Sequence, residues 1–292
     1  MLRRSSFGIL AVAALMAGLV GCSSGPVIGG KPRTPAAPKV VSLSPSTTEL
    51  TSKFELAQGL AGKTVNCNFP PSGNQTAQIV MSGTSPDYEK IAEIKPDFVV
   101  YDKSLFSENE ISKIEQLGTK ALAWDPKTFE EYRTQMFVIS SAIGGEMTTS
   151  EYVDNIYRGF AQAKGVLREK GIADTPMMIL IGEPGAYLAP GSSSFWADIV
   201  KNCGAKLAGP DAGAYAPINV EAIIQAAPQF ILTSESVGAK FLADPRLQGV
   251  PAVKAKRVFD INSDILVRRG ARIENLVDSI NIAIGKLPAQ QK

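Results

Sequence analysis

Residues 148–171 read TTSEYVDNIYRGFAQAKGVLREKG, a stretch that predicts one long helix around which the rest of the chain is arranged. Thr148 and Glu151 have the spacing of a capping box, and Gly171 supplies a left-handed stop. Val153, Ile156, Tyr157, Phe160, Ala163 and Leu167 recur at steps of three and four, so one face is apolar. Asp154, Arg158, Arg168 and Lys170 fall on the opposite side.

Two similar segments flank this helix. Tyr88–Val100 reads YEKIAEIKPDFVV, and Val220–Leu232 reads VEAIIQAAPQFIL. Glu89 and Glu221, Ile91 and Ile223, Pro96 and Pro228, and Phe98 and Phe230 match at a constant offset of 132. Each copy predicts a short helix, a proline that stops it and a buried strand. A long unit present twice points to two similar lobes, because a solenoid needs at least three units. The expected fold is therefore α/β: two similar lobes with parallel-type sheets flanked by helices, spanning residues 39–147 and 172–292. The helix of residues 148–171 bridges them, and a ligand cleft lies between.

The N-terminus sets an address. Arg3 and Arg4 precede an apolar run from Phe7 to Val20, which is short for a membrane span and suits a signal peptide over residues 1–21. The run ends in Leu19-Val20-Gly21-Cys22, which resembles a bacterial lipobox, in which the cysteine is acylated. Lipid at Cys22 would hold the protein at a membrane surface, in the periplasm or at the cell surface. Residues 22–38 are rich in Gly, Ser and Pro and read as a tether.

Composition removes several classes. A 45% apolar chain suits a soluble globular domain, and a net charge of +2 without a basic block argues against nucleic acid as a partner. Histidine is absent, which excludes Ser-His-Asp and Cys-His nucleophile systems and His-ligated zinc. No Gly-Lys-Ser/Thr phosphate loop is present. Carboxylates alone leave a carboxylate-dependent hydrolase formally open, but no pattern points to one, and no enzyme, cofactor or resident metal is expected. Cys67 and Cys203 fall in different lobes and read as two separate thiols.

Taken in order, Lys39–Leu43 predicts a first buried strand. Ser44-Pro45-Ser46-Thr47-Thr48-Glu49 is a hydroxyl-rich turn opening a helix that runs to about Gly59. Ser46 or Thr47 either caps that helix or offers polar groups to a ligand. Tyr101 and Asp102 lie at the carboxyl end of the Phe98 strand, where open α/β sheets bind ligands. Helices are expected over Ser107–Gly118, with Glu108 in the first turn, and over Thr128–Ile143. In the second lobe, Met177–Ile181 predicts a strand and Gly182–Gly191 a long flexible loop carrying Tyr187. Phe195 and Trp196 sit within a helix from Ser194 to Cys203 and read as core, whereas Tyr215, in a Gly/Ala/Pro loop, is the better contact. Arg257–Ile261 is the last strand, Asn262–Gly270 its exit loop and Ile273–Ile284 the closing helix.

At this point the chain resembles a known family: the substrate-binding proteins of bacterial ABC importers for corrinoids, ferric siderophores and haem. The resemblance covers residues 39–286. It rests on VSLSPSTTE at 41–49, Phe69-Pro70-Pro71, Glu89–Val100 with its Lys-Pro-Asp, Gln116-Leu117-Gly118 and Arg269-Gly270-Ala271-Arg272-Ile273. The opening at 42–49 is most similar to cobalamin-binding members. The resemblance implies a monomeric, non-catalytic protein that captures a corrinoid and delivers it to an ABC permease and its ATPase subunits. A ferric siderophore or haem is the alternative ligand. It implies contacts from Ser44, Ser46, Thr47, Phe69, Tyr101, Asp102, Tyr187, Tyr215, Asp264, Ile265, Arg268 and Arg269. It implies permease docking through Glu108 and Glu221, one on each lobe; each Glu equally suits its own helix N-terminus.

The sequence also departs from the cobalamin-binding pattern, since Asp102 and Ile265 stand where relatives carry aromatics. Haem would call on Tyr101 as axial ligand, and ferric chelates on Arg268, Arg269 and Lys103.

Overall fold

The computed structural model describes residues 37–53, 59–71 and 77–290, all within a unit spanning Ala37–Lys292. The leader, Cys22 and most of the tether lie outside the described residues; Gly59, the expected end of the helix opened at Ser44, is in a turn just before β2.

The first half supplies β1 (Val40–Ser42), α1 (Pro45–Lys53), β2 (Leu60–Lys63), β3 (Gln78–Ile79), β4 (Met81–Ser82), β5 (Ser85–Pro86), α2 (Tyr88–Ile94), β6 (Phe98–Asp102), α3 (Glu108–Glu115) and β7 (Lys120–Trp124). Two helices follow, α4 (Phe129–Ile143) and α5 (Glu146–Glu169). The second half supplies β8 (Pro176–Glu183), β9 (Ala186–Pro190), α6 (Phe195–Asn202), β10 (Lys206–Leu207), β11 (Tyr215–Pro217), α7 (Val220–Ala226), β12 (Phe230–Ser234), α8 (Val237–Ala243), α9 (Pro251–Lys254), β13 (Val258–Ile261), α10 (Ser263–Val267) and α11 (Ile273–Gly285).

The duplicated sequence is duplicated structure. α2 and α7 begin and end 132 residues apart, and so do β6 and β12. Asp87 caps α2 by accepting from Lys90 N, and Asn219 caps α7 by accepting from Ala222 N. Lys95 and Ala227 both close their helix in the left-handed region, at φ 49° and 44°. Proline follows each, so neither helix can continue. β6 runs parallel between β1 and β7, and β12 parallel between β8 and β13. The first sheet has the order β3-β2-β1-β6-β7, all parallel. The second has the order β11-β9-β8-β12-β13, with β10 also on β8. There β9 and β11 are antiparallel additions.

Two expectations are corrected here. The stretch from Gly182 to Gly191 is not a flexible loop. Pro184 and Gly185, the latter at φ 91°, make a tight turn that folds Ala186–Pro190 back on β8 as β9, with Gly182 paired to Tyr187 in the ladder. The exit after β13 likewise contains the short helix α10, capped by Asn262.

α5 joins the two sheets through one apolar core. Its buried side chains are Thr149, Tyr152, Val153, Ile156, Phe160, Ala163 and Leu167; Tyr157 is 40% exposed. The helix starts at Glu146, so Thr148 and Glu151 form no capping box. Gly144, at φ 94°, ends α4 and the chain re-enters a helix at once; Thr149 Oγ1 donates back to Gly145 O at 2.9 Å. Gly171 is left-handed, at φ 69°, as expected from its position. α11 packs closely on α5: a Cβ on Gly159 would lie 2.6 Å from Val277 Cγ1. Lys170 Nζ then clasps the end of α11, donating to the carbonyls of Ile284, Gly285 and Leu287. Cys67 and Cys203 are buried thiols with no disulfide between them. No helix among the described residues is long and apolar enough to cross a membrane.

Candidate functional site

A cavity of about 420 Å³ opens at the carboxyl ends of the strands of both sheets, where open α/β folds bind ligands. The first half lines it with Ser44, Pro45, Ser46, Asp102, Ser104, Leu105, Pro126 and Lys127. The second half adds Phe195, Trp196, Gly213, Ala214, Tyr215, Val267, Arg268 and Arg269.

Its hydroxyl side begins with β1. Ser44 caps α1: its Oγ accepts from Thr47 N at 3.1 Å, and Pro45 takes the first helical position, where no N–H is needed. Thr47 is fully buried, its hydroxyl engaged with Ser42 Oγ at 2.7 Å and Ser44 Oγ at 2.9 Å. Thr47 therefore holds the turn, while Ser44 and Ser46 line the cavity.

The opposite wall is aromatic. Ser194 caps α6 and places Phe195 and Trp196 in its first turn. Trp196 meets Tyr215 edge-on at 5.0 Å, and Phe195 packs between Trp196 and Tyr132 at 5.9 and 5.6 Å. Tyr215 is fixed by its hydroxyl, which donates to Leu266 O at 2.7 Å. Burial pushes that phenol well above its ordinary pKa, so it stays protonated. Phe195 and Trp196 are both core, as their helical position predicts, and cavity wall; periodicity alone could not show the second role.

The floor is an ion-pair network. Arg268 meets Glu49 at 3.1 Å and Asp264 at 2.8 Å. Arg272 meets the same Glu49 at 2.6 Å and Asp264 at 3.2 Å. Arg269 holds both oxygens of Asp102 at 3.0 Å and Asp125 at 2.8 Å, and Lys127 also pairs with Asp125 at 2.6 Å. Burial alone would raise the Asp125 carboxyl, but hydrogen bonds from Lys127 and Arg269 hold it below its usual range. Four carboxylates thus face four cations, and each cleft cation already has its counter-charge.

Further hydrogen bonds tie residues 268–272 to the first half of the chain and to α4 and α5. Trp124 Nε1 donates to Arg269 O, Tyr132 OH to Gly270 O and Tyr152 OH to Ala271 O, at 2.9, 2.8 and 2.9 Å. Gly270 has to be glycine, since a Cβ there would lie 2.3 Å from Glu49 Oε2.

Among the residues implied by sequence, Ser44, Ser46, Asp102, Tyr215, Arg268 and Arg269 come together around the cavity. Others do not line it. Tyr101 packs its ring against Phe106 at 6.4 Å, away from Asp102, because successive strand residues face opposite sides. Tyr187 is 2% exposed and meets Phe241 in the core of the second half. Phe69 lies under the Arg272 guanidinium at 4.7 Å, Ile265 packs on the main core, and Asp264 serves Arg268 and Arg272. Glu108 and Glu221 are exposed, each in the first turn of its helix. Lys103 is exposed outside the cavity lining. Ser104, Leu105, Lys127 and Val267 line the cavity without any signal in the sequence pattern.

A family model described as periplasmic binding protein matches residues 40–265. A Bacillus subtilis protein, "Uncharacterized ABC transporter substrate-binding lipoprotein YvrC", is 27% identical over 254 residues, covering 83% of this chain and 79% of that protein. The vitamin B12-binding protein of Salmonella typhi is 22% identical over 239 residues, covering 82% and 86%. Two solved structures share the fold: the periplasmic haem-binding protein BhuT with two haems (TM-score 0.70, 19% identity, 85% of this chain and 97% of that one), and the vitamin B12-binding protein BtuF of Vibrio cholerae (TM-score 0.69, 19%, 85% and 97%). The two-lobed α/β architecture expected from the repeat is the architecture of these structures.

Proposed function

The chain belongs to the periplasmic binding protein family, and from that premise we propose that it is an extracytoplasmic lipoprotein, anchored through Cys22, that captures a corrinoid for an ABC importer. Members of the family are solute-binding transport proteins rather than enzymes. The ligand lies in the cavity between the two sheets, and the permease with its ATPase subunits receives it. Glu108 and Glu221, exposed on the two halves, are the carboxylates that meet the permease, where charge steers docking more than it adds affinity.

The observation that carries the ligand class is the neutral floor. Arg268 and Arg269 are saturated by Glu49, Asp264, Asp102 and Asp125. An anionic chelate would shed its hydration without finding an unpaired cation in exchange. An electroneutral macrocycle rimmed by amides loses little on that floor. It gains the hydroxyls of Ser44, Ser46 and Ser104 on one side and the Phe195–Trp196–Tyr215 wall on the other. Haem ligation by Tyr101 has no support in the geometry, since that phenol faces away from Asp102.

The test is a titration of Ser23–Lys292 with cobalamin, haem and ferric siderophores, followed by intrinsic Tyr and Trp fluorescence. One-to-one quenching by cobalamin alone supports the reading. Saturable quenching by haem or a ferric chelate, with cobalamin silent, transfers the protein to iron uptake.

A further inference from the structure

Pro45 and Leu105 each take part in two cavities. Both residues also line a second hollow of about 310 Å³, whose other walls include Leu43, Val65, Met81 and Phe106. This hollow lies wholly on the first sheet, at the exits of β1, β2 and β6 and the β4–β5 hairpin. Its chemistry differs from that of the main cavity. Among the described residues no charged side chain lines it; the polar members are Thr64, Asn66 and Thr84. Two of its apolar residues stand open to solvent, Val65 at 72% and Leu105 at 58%.

We propose that this hollow is a second compartment of the ligand site, which takes a planar, weakly polar arm of the ligand whose body sits on the ion-paired floor. Adjacency carries the assignment, since the two cavities share the wall residues Pro45 and Leu105 and a ligand lying across that wall reaches both. Size agrees with it. The cavities of about 420 and about 310 Å³ together cover more of a corrinoid, which is several times heavier than a drug, than either covers alone. The exposed faces of Val65 and Leu105 are then the surface that the arm covers. The inference rests on the corrinoid reading above for the body of the ligand, and on the hollow itself for the arm.

The experiment compares wild type with Val65→Asp and Val267→Asp, both at exposed positions, with thermal unfolding confirming that each variant folds. Each is titrated with cobalamin, with cobinamide (the same ring without the pendant base) and with the neutral dye N-phenyl-1-naphthylamine. Val65→Asp should weaken cobalamin roughly tenfold or more, because a carboxylate replaces apolar surface. It should move cobinamide less than twofold and abolish the dye's fluorescence enhancement. Unchanged cobalamin affinity, or equal weakening of both corrinoids, overturns the compartment. If wild type binds neither corrinoid, the corrinoid reading fails on its own, and the dye then decides. Enhancement lost in Val65→Asp and kept in Val267→Asp supports a separate apolar compartment. No enhancement in wild type, or equal loss in both variants, overturns it.

Discussion

Arg269 Nη2 lies 3.0 Å from each carboxylate oxygen of Asp102, a contact spanning 167 residues of sequence. Asp102 ends β6 of the first sheet, and Arg269 follows the last strand of the second. The pair therefore ties the two halves together at the floor of the cavity. Both side chains are shielded, 9% and 12% exposed, so the pair is not a solvated surface bridge.

Removing one partner leaves the other charge buried. Asp102→Ala should lower unfolding stability by about 3 kcal/mol, the low end for a broken buried pair because Asp125 still faces Arg269, and the double variant Asp102→Ala/Arg269→Ala by less than the sum of the single changes. Urea unfolding of the four proteins measures the coupling. Strict additivity would mean that the contact carries no energy.

Asp102→Asn keeps the shape and removes the negative charge. Arg269 and Lys127 then share the single carboxylate of Asp125 and the cavity gains one net positive charge, so affinity for haem or an anionic ferric chelate should rise at least severalfold while cobalamin changes little. Calorimetric titration of both ligands checks this. Equal changes for both would show that the floor's charge balance does not select the ligand.

Gly270 faces Glu49 at a distance that leaves no room for a methyl group. Gly270→Ala should cost about 2 kcal/mol through overpacking against a buried ion pair. A lowered Tm is the expected reading; wild-type stability would show that the Arg268–Arg272 segment shifts freely.

Burial pushes the Cys203 thiol up to about 12 from an ordinary value near 9.0. The folded state thus favours the protonated thiol. That stabilisation is full below pH 9 and is lost as pH rises from 9 towards 12. Cys203→Ala should flatten the decline of stability between pH 9 and 11, and in the wild-type protein iodoacetamide should leave Cys203 unmodified at pH 8 until the protein unfolds. Rapid alkylation of the native thiol, or an alkaline limb unchanged by Cys203→Ala, would contradict this.

Sequence reading reaches the fold because its signals are local. Asp87 and Asn219 each cap within three residues, Pro96 and Pro228 each stop a helix, and Phe98 and Phe230 each open a strand. The site is less legible. Tyr187 sits among glycines that read as a loop, but the stretch is a β8–β9 hairpin that carries the ring into the core. Trp196 and Phe195 obey helical periodicity, and nothing local distinguishes core from cavity wall. Arg268 and Arg269 look like free cations because Glu49 and Asp102 lie 219 and 167 residues away. Long-range pairing of charges decides this cavity's chemistry, and a single sequence does not display it.

The most direct measurement is equilibrium dialysis of radiolabelled cobalamin against the wild-type domain and Tyr215→Ala, with excess unlabelled haem as competitor. One cobalamin should be retained per wild-type chain, undisturbed by haem, and retention should fall at least tenfold when the aromatic wall loses Tyr215. No cobalamin retained, or cobalamin displaced by haem at equal concentration, would contradict a neutral corrinoid cleft.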